Sequence, residues 1–546
     1  MMKSRTSFFN PTVLLKDITR FCPVWVLYLI FGLLSLFTVR EYPMEESYVR
    51  TMFLSIVPLT SINLFYALLV AQMLFGDLFN KRLCSGLHAL SPRREGWFLT
   101  HTVAGLLFSI VPNLILCLIH LPRLGIYWHT AFYWLLLVTL EYLFFFGSAV
   151  FGIMCSGNRI GSISFYVLLN FGALIVRWFW QTIYLPLLYG IQATADRFLQ
   201  FCPVLNITYY RLSVFTYGYD LFDYRNIRSE TNYFVIIAVI GIVLLGGAVL
   251  LYRKRKLECA GELMAFRWMR PIFAVLFTLS VGALFEMVGS SISEQPYIFL
   301  SGGIVIGFFV IQMLLQRTVR IFRLKTFAGL AAVGIGLAAS IGLTALDPLG
   351  ITRWTPDPDQ VISVHVYESY GNLPTHSMPT TYVNVTYTNP AYIRSIIKIH
   401  QQVTKEDRNK LYDARIDFVY TLSNGQTIKR SYYYDHEGEA ADMRKQFYSM
   451  PEYVLNYENW DDYLGSIASV SVNGTTLEGE ESHELLAAIR KDCESGSYHY
   501  DLLRLNGNRM YTKITINYKR GYKRFVTVYY TCSESMNWID QNIPSD

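Results

Sequence analysis

The sequence predicts a polytopic α-helical membrane domain of nine transmembrane helices, followed by a C-terminal α+β domain of about 200 residues. Hydrophobic residues make up 52% of the 546 residues and charged residues only 16%, where a soluble protein has about 25% charged residues. Residues 1–345 carry a net charge of +12 and residues 346–546 a net charge of −6. Apolar runs end near residue 345, and alternating patterns with turn residues begin there.

Nine apolar segments approach or exceed the roughly 20 residues that a helix needs to cross a bilayer. They are Pro23–Val39, Met52–Phe75, Phe98–Ile119, Thr130–Cys155, Gly161–Leu187, Tyr233–Tyr252, Ile272–Gly289, Ile298–Gln316 and Thr326–Ala345. With the N-terminus inside, the inner stretches hold nineteen Lys and Arg residues, and the outer loops before residue 346 hold seven. We therefore predict a multi-pass plasma-membrane protein whose residues 346–546 lie outside the cytoplasm.

Residues 1–22 are predicted to be a cytoplasmic segment with a short interfacial helix. Asn10 is a typical N-cap and Pro11 a typical first helical residue. Helical periodicity places two sets of side chains on opposite faces of this helix. One face is apolar, with Leu14, Leu15, Ile18 and Phe21, and the other is polar, with Lys16, Asp17 and Arg20. A plain basic tail is the alternative. Pro23–Val39 lacks a small-residue cleavage site, which indicates an uncleaved anchor.

Residues 76–97, between the second and third spans, include a second amphipathic segment. Asp77 follows the second span, a Lys-Arg pair and leucines come next, and Ser91-Pro92 ends the predicted helix before a second basic pair. A helix that lies along the membrane between two spans is well placed to contact a cytosolic partner.

This pattern resembles the ABC-2-type permeases of ATP-binding-cassette exporters, in which the same loop is the coupling helix that docks on the ATPase. The resemblance assigns that role to Asp77, Lys81, Arg82, Gly86, Leu90, Pro92, Arg93 and Arg94. Further short motifs resemble a Gram-positive branch of the family: Cys155–Asn158 with Asn170, and Arg253–Lys256 followed by Ala260-Gly261, Ala265-Phe266 and Arg270-Pro271.

The resemblance covers roughly residues 10–350 and implies a six-helix permease core at residues 23–252. The three helices of residues 253–345 and the outer domain of residues 346–546 are additions to that core. A second departure is His101, which stands where the family often has a lysine early in the third span.

The implied function is that of the membrane-spanning permease subunit of a bacterial ABC transporter, for export or detoxification of a peptide, lipid or drug-like substrate. Implied partners are a separate ATPase subunit, a second permease subunit in a homo- or heterodimer, and membrane lipid; no nucleic acid is expected. The motifs G-x-x-x-x-G-K-[ST], H-E-x-x-H and G-x-S-x-G are absent, so we expect neither enzymatic activity nor a cofactor in this chain. The alternative is a membrane receptor or sensor whose outer domain binds a ligand and relays to a cytosolic partner.

Three charged side chains are predicted within or near the bilayer: Glu141, Arg177 and Glu286. Glu141 and Arg177 lie at similar depths on consecutive antiparallel helices. They could form a structural salt bridge, line a transport pathway, or make no contact. Glu286 is nearer the outer surface.

The outer domain is predicted to repeat a helix-plus-hairpin unit at an offset of about 98 residues. The first hairpin joins Arg415–Thr421 to Thr427–Tyr434 through Asn424-Gly425, and the second joins Lys513–Lys519 to Arg524–Thr531. Cys493 and Cys532 could form a disulfide outside the cytoplasm. The histidines lack metal-ligand spacing, so no metal site is predicted.

Overall fold

The computed structural model describes residues 9–37, 52–88, 94–125, 128–191, 198–211, 224–292, 296–370, 382–405, 414–434, 467–495, 497, 511–519, 523–529 and 531–543. Contacts divide the chain into two compact units. Residues 1–182 and 194–339 form one unit, which we call the membrane unit, and residues 183–193 and 340–546 form the other, which we call the outer unit after its predicted location. The second unit therefore contains a segment that the sequence places in a loop between the fifth and sixth spans.

The membrane unit is helical. Its helices are α1 (Pro11–Arg20), α2 (Cys22–Phe37), α3 (Ile56–Leu74), α4 (Lys81–His88), α5 (Arg94–Leu124), α6 (His129–Cys155), α7 (Arg159–Phe179), α8 (Tyr224–Lys254), α9 (Met269–Gly289), α10 (Pro296–Gln316) and α11 (Leu324–Leu346), whose last residues belong to the outer unit. Among the described residues, eight helices are long and apolar enough to cross a membrane. The bent pair α1 and α2 is a ninth candidate, so a polytopic helical domain is confirmed.

The N-terminal helix has the predicted cap and is separated from the next helix. The side chain of Asn10 accepts the backbone N–H groups of Thr12 and Val13, and Pro11 is the first helical residue. A bend of 58° follows α1. The predicted polar face is partly wrong, because Asp17 is buried and Leu15 is 64% exposed. Asp17 is buried because it pairs with a histidine of α5, as described below.

Helix α6 is the central helix of the membrane unit, with 72% of its apolar window buried. It crosses α8 at two glycines: a side chain at Gly147 would meet the carbonyl oxygen of Gly241. This close approach of two backbones excludes any larger residue at either position.

The outer unit contains two four-stranded antiparallel sheets. Lobe one (residues 361–434) has β1 (Val361–Tyr370), β2 (Tyr382–Tyr387), α12 (Pro390–Val403), β3 (Ala414–Leu422) and β4 (Thr427–Tyr434), in the order β2-β1-β3-β4. Lobe two (residues 467–543) has β5 (Ile467–Val472), β6 (Thr475–Leu477), α13 (Glu480–Glu494), β7 (Tyr511–Tyr518) and β8 (Lys523–Tyr529), in the order β6-β5-β7-β8, and ends with α14 (Ser533–Asn542).

The two lobes share strand order, helix position and a register irregularity at the start of the first strand. The shift lies between Val361 and Ser363 in lobe one and between Ile467 and Ser469 in lobe two. The repeated helix-and-hairpin unit predicted from the sequence is therefore present. Buried residues of both lobes form one hydrophobic core.

Candidate functional site

The connection between α3 and α5 begins with a 3₁₀ turn over Gly76–Phe79 and continues into α4. The side chain of Asn80 accepts the backbone N–H of Arg82 at 3.0 Å and so caps α4. Lys81 and Arg82 are exposed, whereas Cys84 is buried. Burial raises the pKa of the Cys84 thiol. The first turn of α4 thus presents two cations to the surface, while its fourth residue, Cys84, packs into the core.

The remaining residues of the predicted coupling loop are placed as follows. Asp77 is half-buried in the 3₁₀ turn, Gly86 lies in α4, and Arg94 is the first residue of α5. Leu90, Pro92 and Arg93 lie outside the described residues. The structure therefore brings Asp77, Lys81 and Arg82 into one short segment.

A buried arginine fastens this segment to the helix bundle. Arg255 is 6% exposed and donates one N–H to the carbonyl oxygen of Leu78 at 3.2 Å and another to that of Ile153 at 2.8 Å. Leu78 belongs to the 3₁₀ turn and Ile153 to the last turn of α6. These are charge-assisted bonds to carbonyl oxygens at the ends of two elements. In the sequence, Arg255 is one of four adjacent cations in the run Arg253–Lys256, and nothing there distinguishes it from the others.

The two short motifs that resemble the Gram-positive branch, Cys155–Asn158 and the segment that follows Arg253–Lys256, pack against each other. Ser156 donates its hydroxyl to the carbonyl oxygen of Leu263 at 2.8 Å, and the backbone N–H of Gly261 donates to Gly157 at 2.5 Å. Gly157 has no room for a side chain, because a Cβ there would overlap the carbonyl of Cys259. The end of α6 and the segment before α9 are thereby interlocked.

His101 joins the N-terminal helix to α5. Its Nδ1 lies 2.7 Å from a carboxylate oxygen of Asp17, and the backbone N–H of Asn10 donates to Thr100 at 3.2 Å. An apolar cleft lies beside this pair, lined in part by Phe75, Asp77, Trp97, His101 and Tyr252. His101, which departs from the pattern of the family that the sequence resembles, therefore contacts α1. It lies beside Asp77, the first residue assigned to the predicted coupling loop.

The structure does not bring Glu141 and Arg177 together. Both carboxylate oxygens of Glu141 are buried without a hydrogen-bond partner among the described residues, and so is Nε of Arg177. Glu141 faces α3 inside the bundle, beside Thr60 and Asn63, whereas Arg177 lies half-buried in the last turn of α7. Equal depth is not sufficient for a salt bridge, because the two side chains leave their helices in different directions. Glu286 is 5% exposed in α9.

A second polar cluster lies in lobe one. His400 of α12 is fully buried, with Nδ1 2.9 Å from the hydroxyl of Tyr420 and Nε2 2.7 Å from that of Tyr432. Burial, and secondarily the charge of Arg430, lowers the pKa of His400 to about 3. The imidazole is therefore neutral at physiological pH and links two tyrosine hydroxyls.

Three residues that follow α7 lie along the edge strand β4, and we call Tyr189–Ile191 the strap. Ile191 forms an antiparallel bridge with Arg430, and the carbonyl oxygen of Gly190 accepts the N–H of Ser431 at 3.0 Å. Tyr189 donates its hydroxyl to the carbonyl oxygen of Tyr433 at 2.7 Å, and its ring packs against Tyr432 at 5.2 Å between centroids. The strap covers an otherwise open sheet edge.

Cys493 and Cys532 are buried in the same hydrophobic core, and their pairing stays a prediction. The described part of the chain contains no group of three or more His, Cys, Asp or Glu side chains that could hold a metal ion. Comparison with family models, with curated proteins and with solved structures finds no match for this chain.

Proposed function

We propose that this chain is the membrane-spanning permease subunit of an ABC-2-like transporter, driven by a separate ATPase that docks on the segment from Asp77 to Arg94. The observation that carries the proposal is the Arg255 contact. One buried guanidinium holds both the 3₁₀ turn before α4 and the last turn of the central helix α6. A force on α4 is therefore transmitted directly to the core of the bundle.

The outer unit supports the predicted topology. Its two pieces follow α7 and α11 along the chain. Four candidate spans, α8 to α11, separate them, and an even number of crossings returns the chain to the same side of a membrane. A domain that captures or hands on substrate outside the cytoplasm is consistent with this arrangement.

The test is copurification of the full-length chain with an ABC ATPase subunit coexpressed with it. We expect Lys81→Glu/Arg82→Glu to lower recovery of the ATPase at least tenfold, because two exposed cations of the docking helix are reversed. The matched control is Arg320→Glu/Arg323→Glu, which reverses two exposed cations of another stretch predicted to be cytoplasmic. Undiminished recovery with the first variant, or equal loss with both, would contradict docking on α4.

Arg255→Lys separates docking from transmission. Lysine keeps the charge but lacks the planar fork that reaches two carbonyl oxygens together. We expect the ATPase to bind normally, while nucleotide-dependent changes in amide hydrogen exchange persist at residues 76–80 and disappear at residues 150–155. Loss at both segments, or at neither, would refute the transmission role.

The sensor interpretation is the second candidate, and the strap favours it. The strap follows α7 along the chain and pairs with the edge strand β4 of the outer unit. A chain that signals without moving substrate would bind its cytosolic partner but show no nucleotide-dependent exchange change in α6.

A further inference from the structure

A carboxyl group lies unpaired at the centre of the membrane unit. Glu141 is the thirteenth of the 27 residues of α6, about 18 Å from one end and about 21 Å from the other at 1.5 Å per residue. Its side chain is fully buried, and neither oxygen has a hydrogen-bond partner among the described residues. This position is far from water along the helix and closed to it from the sides.

The surroundings of Glu141 are polar but uncharged. Thr60 and Asn63 of α3 are its polar neighbours, and the amide nitrogen of Asn63 has no partner in the described part of the chain. The hydroxyl of Tyr28 on α2 lies 2.7 Å from Oδ1 of Asn63 and 3.2 Å from Oδ1 of Asn113 on α5. Three helices, α2, α3 and α5, thus direct neutral hydrogen-bonding groups towards one region of the core.

The titratable groups near Glu141 are phenols. Tyr28 and Tyr166 lie within electrostatic reach of the carboxyl group, and Tyr66 and Tyr142 complete an aromatic cluster with Tyr28. Their hydroxyls are bonded to neutral groups, namely Asn side chains for Tyr28 and backbone carbonyls for the other three. On α5, His120 packs against Trp134, two turns before Glu141, and α8 has no ionisable side chain between Tyr233 and Tyr252. Arg177 of α7 makes no ion pair with Glu141.

A negative charge in such a place is costly, because no cation and only two neutral side chains, those of Thr60 and Asn63, are near enough to compensate the lost hydration. A neutral carboxyl group has one donor and fewer unmet acceptors, which suits neighbours that are amides and hydroxyls. The side chains around Glu141 pack closely, so a proton fits this place better than a larger cation does.

We infer that Glu141 is a proton-binding site at the centre of the membrane unit, filled while the helices are packed as in this structure. Opening of the bundle to water would hydrate the carboxylate and let the proton leave. This site lies outside the proposed coupling segment, and it does not depend on the proposed function.

The test is the infrared spectrum of the full-length chain in proteoliposomes at neutral pH. A protonated carboxyl group has a C=O stretch that is separate from the bands of a carboxylate. We expect one such band in the wild type and in the exposed control Glu258→Gln, and its loss in Glu141→Gln. A wild-type spectrum without the band, or a Glu141→Gln spectrum that keeps it, would overturn the inference.

A hydrophobic carbodiimide gives a second measurement that needs no variant to fold, since it adds only to protonated carboxyl groups. Mass spectrometry should find the adduct on Glu141 at neutral pH and at least tenfold less at alkaline pH. Sodium at high concentration should leave the yield unchanged. Protection by sodium but not by choline would instead identify a sodium site, and absence of any adduct at neutral pH would count against the proton.

Discussion

The two lobes of the outer unit have one topology but different cores. Register and burial align His400, Tyr420, Arg430 and Tyr432 of lobe one with Ile489, Ile516, Val526 and Val528 of lobe two. All eight residues are buried. Lobe two shows that aliphatic residues satisfy this fold, so the polar cluster of lobe one is not required by topology.

In the described part of the chain, what lobe one has in addition is the strap. Its contacts fall on Arg430, Ser431, Tyr432 and Tyr433, all in the strand that also carries two members of the buried polar cluster. The polar core and the strap therefore meet at Tyr432, whose hydroxyl faces His400 and whose ring faces Tyr189. Where lobe two has aliphatic packing, lobe one therefore has a polar core that contacts the strap through Tyr432.

The largest effect on the comparison is expected from Gly190→Ala. Gly190 has φ +82°, and a Cβ there would overlap the ring of Tyr432. We expect the left-handed backbone and the overlap together to lower the opening free energy of β4 by roughly 2–5 kcal/mol, measured by hydrogen exchange of residues 427–434 in the full-length chain.

Gly425→Ala is the matched control for Gly190→Ala. It has φ +79° in the hairpin turn but nothing within 4 Å of the added Cβ, so only the backbone cost of about 1–2 kcal/mol applies. Equal effects of the two variants would show that the strap does not pack on Tyr432. Lobe two should stay unchanged in both.

A somewhat smaller effect is expected from His400→Ile, which places the lobe-two residue in lobe one. Tyr420 and Tyr432 lose their shared partner in the core, and the loss of hydrogen bonding by a buried hydroxyl costs about 1–3 kcal/mol. Hydrogen exchange of β3 and β4 should rise accordingly. The triple variant with Tyr420→Ile and Tyr432→Val should regain protection of β3 from hydrogen exchange. The strap should still be released in it, because the ring of Tyr432 that packs on Tyr189 is gone.

Ile489→His is the reciprocal variant, and it should destabilise lobe two, because neither Ile516 nor Val528 can bond an imidazole. If His400→Ile has no effect, or if Ile489→His is tolerated, the equivalence of the two cores is wrong.

Over a single pH unit, the smallest effect is a difference in pH dependence. The pKa of His400 is lowered from 6.5 to about 3, so between these values the unfolded lobe binds a proton that the folded lobe does not. Lobe one should therefore lose stability as the pH falls from about 6.5 towards 3, by up to about 1.4 kcal/mol per pH unit. Lobe two has Ile489 at this position. Hydrogen exchange of β3 at two pH values, corrected for intrinsic rates, measures the slope, which His400→Ile should abolish.

The sequence predicts what depends on local pattern. The second strand of the first hairpin is predicted with the bounds of β4, because Asn-Gly between alternating segments marks a hairpin turn. A second Asn-Gly pair, Asn473-Gly474, turns β5 into β6 with both residues at positive φ, yet its value as a hairpin signal was missed. Apolar runs likewise located the spans, because hydrophobic length is a property of the segment itself.

Contacts between residues far apart in the chain are harder to predict from the sequence. Asp17 was placed on a polar face because periodicity cannot show that His101, 84 residues later, would pair with it. Arg255 looked like one of four equivalent cations, and the strap had no signal beyond a glycine. For Glu141, depth was predictable from residue counts, but the face of the helix was not.

The interlock at Gly157 has a mechanical consequence. Helices α6 and α7 are pinned at one end to the chain that leads into α9, and the missing side chain leaves no clearance for sliding. If these helices separate, we expect them to rotate about that end, so that the displacement is largest at the opposite end.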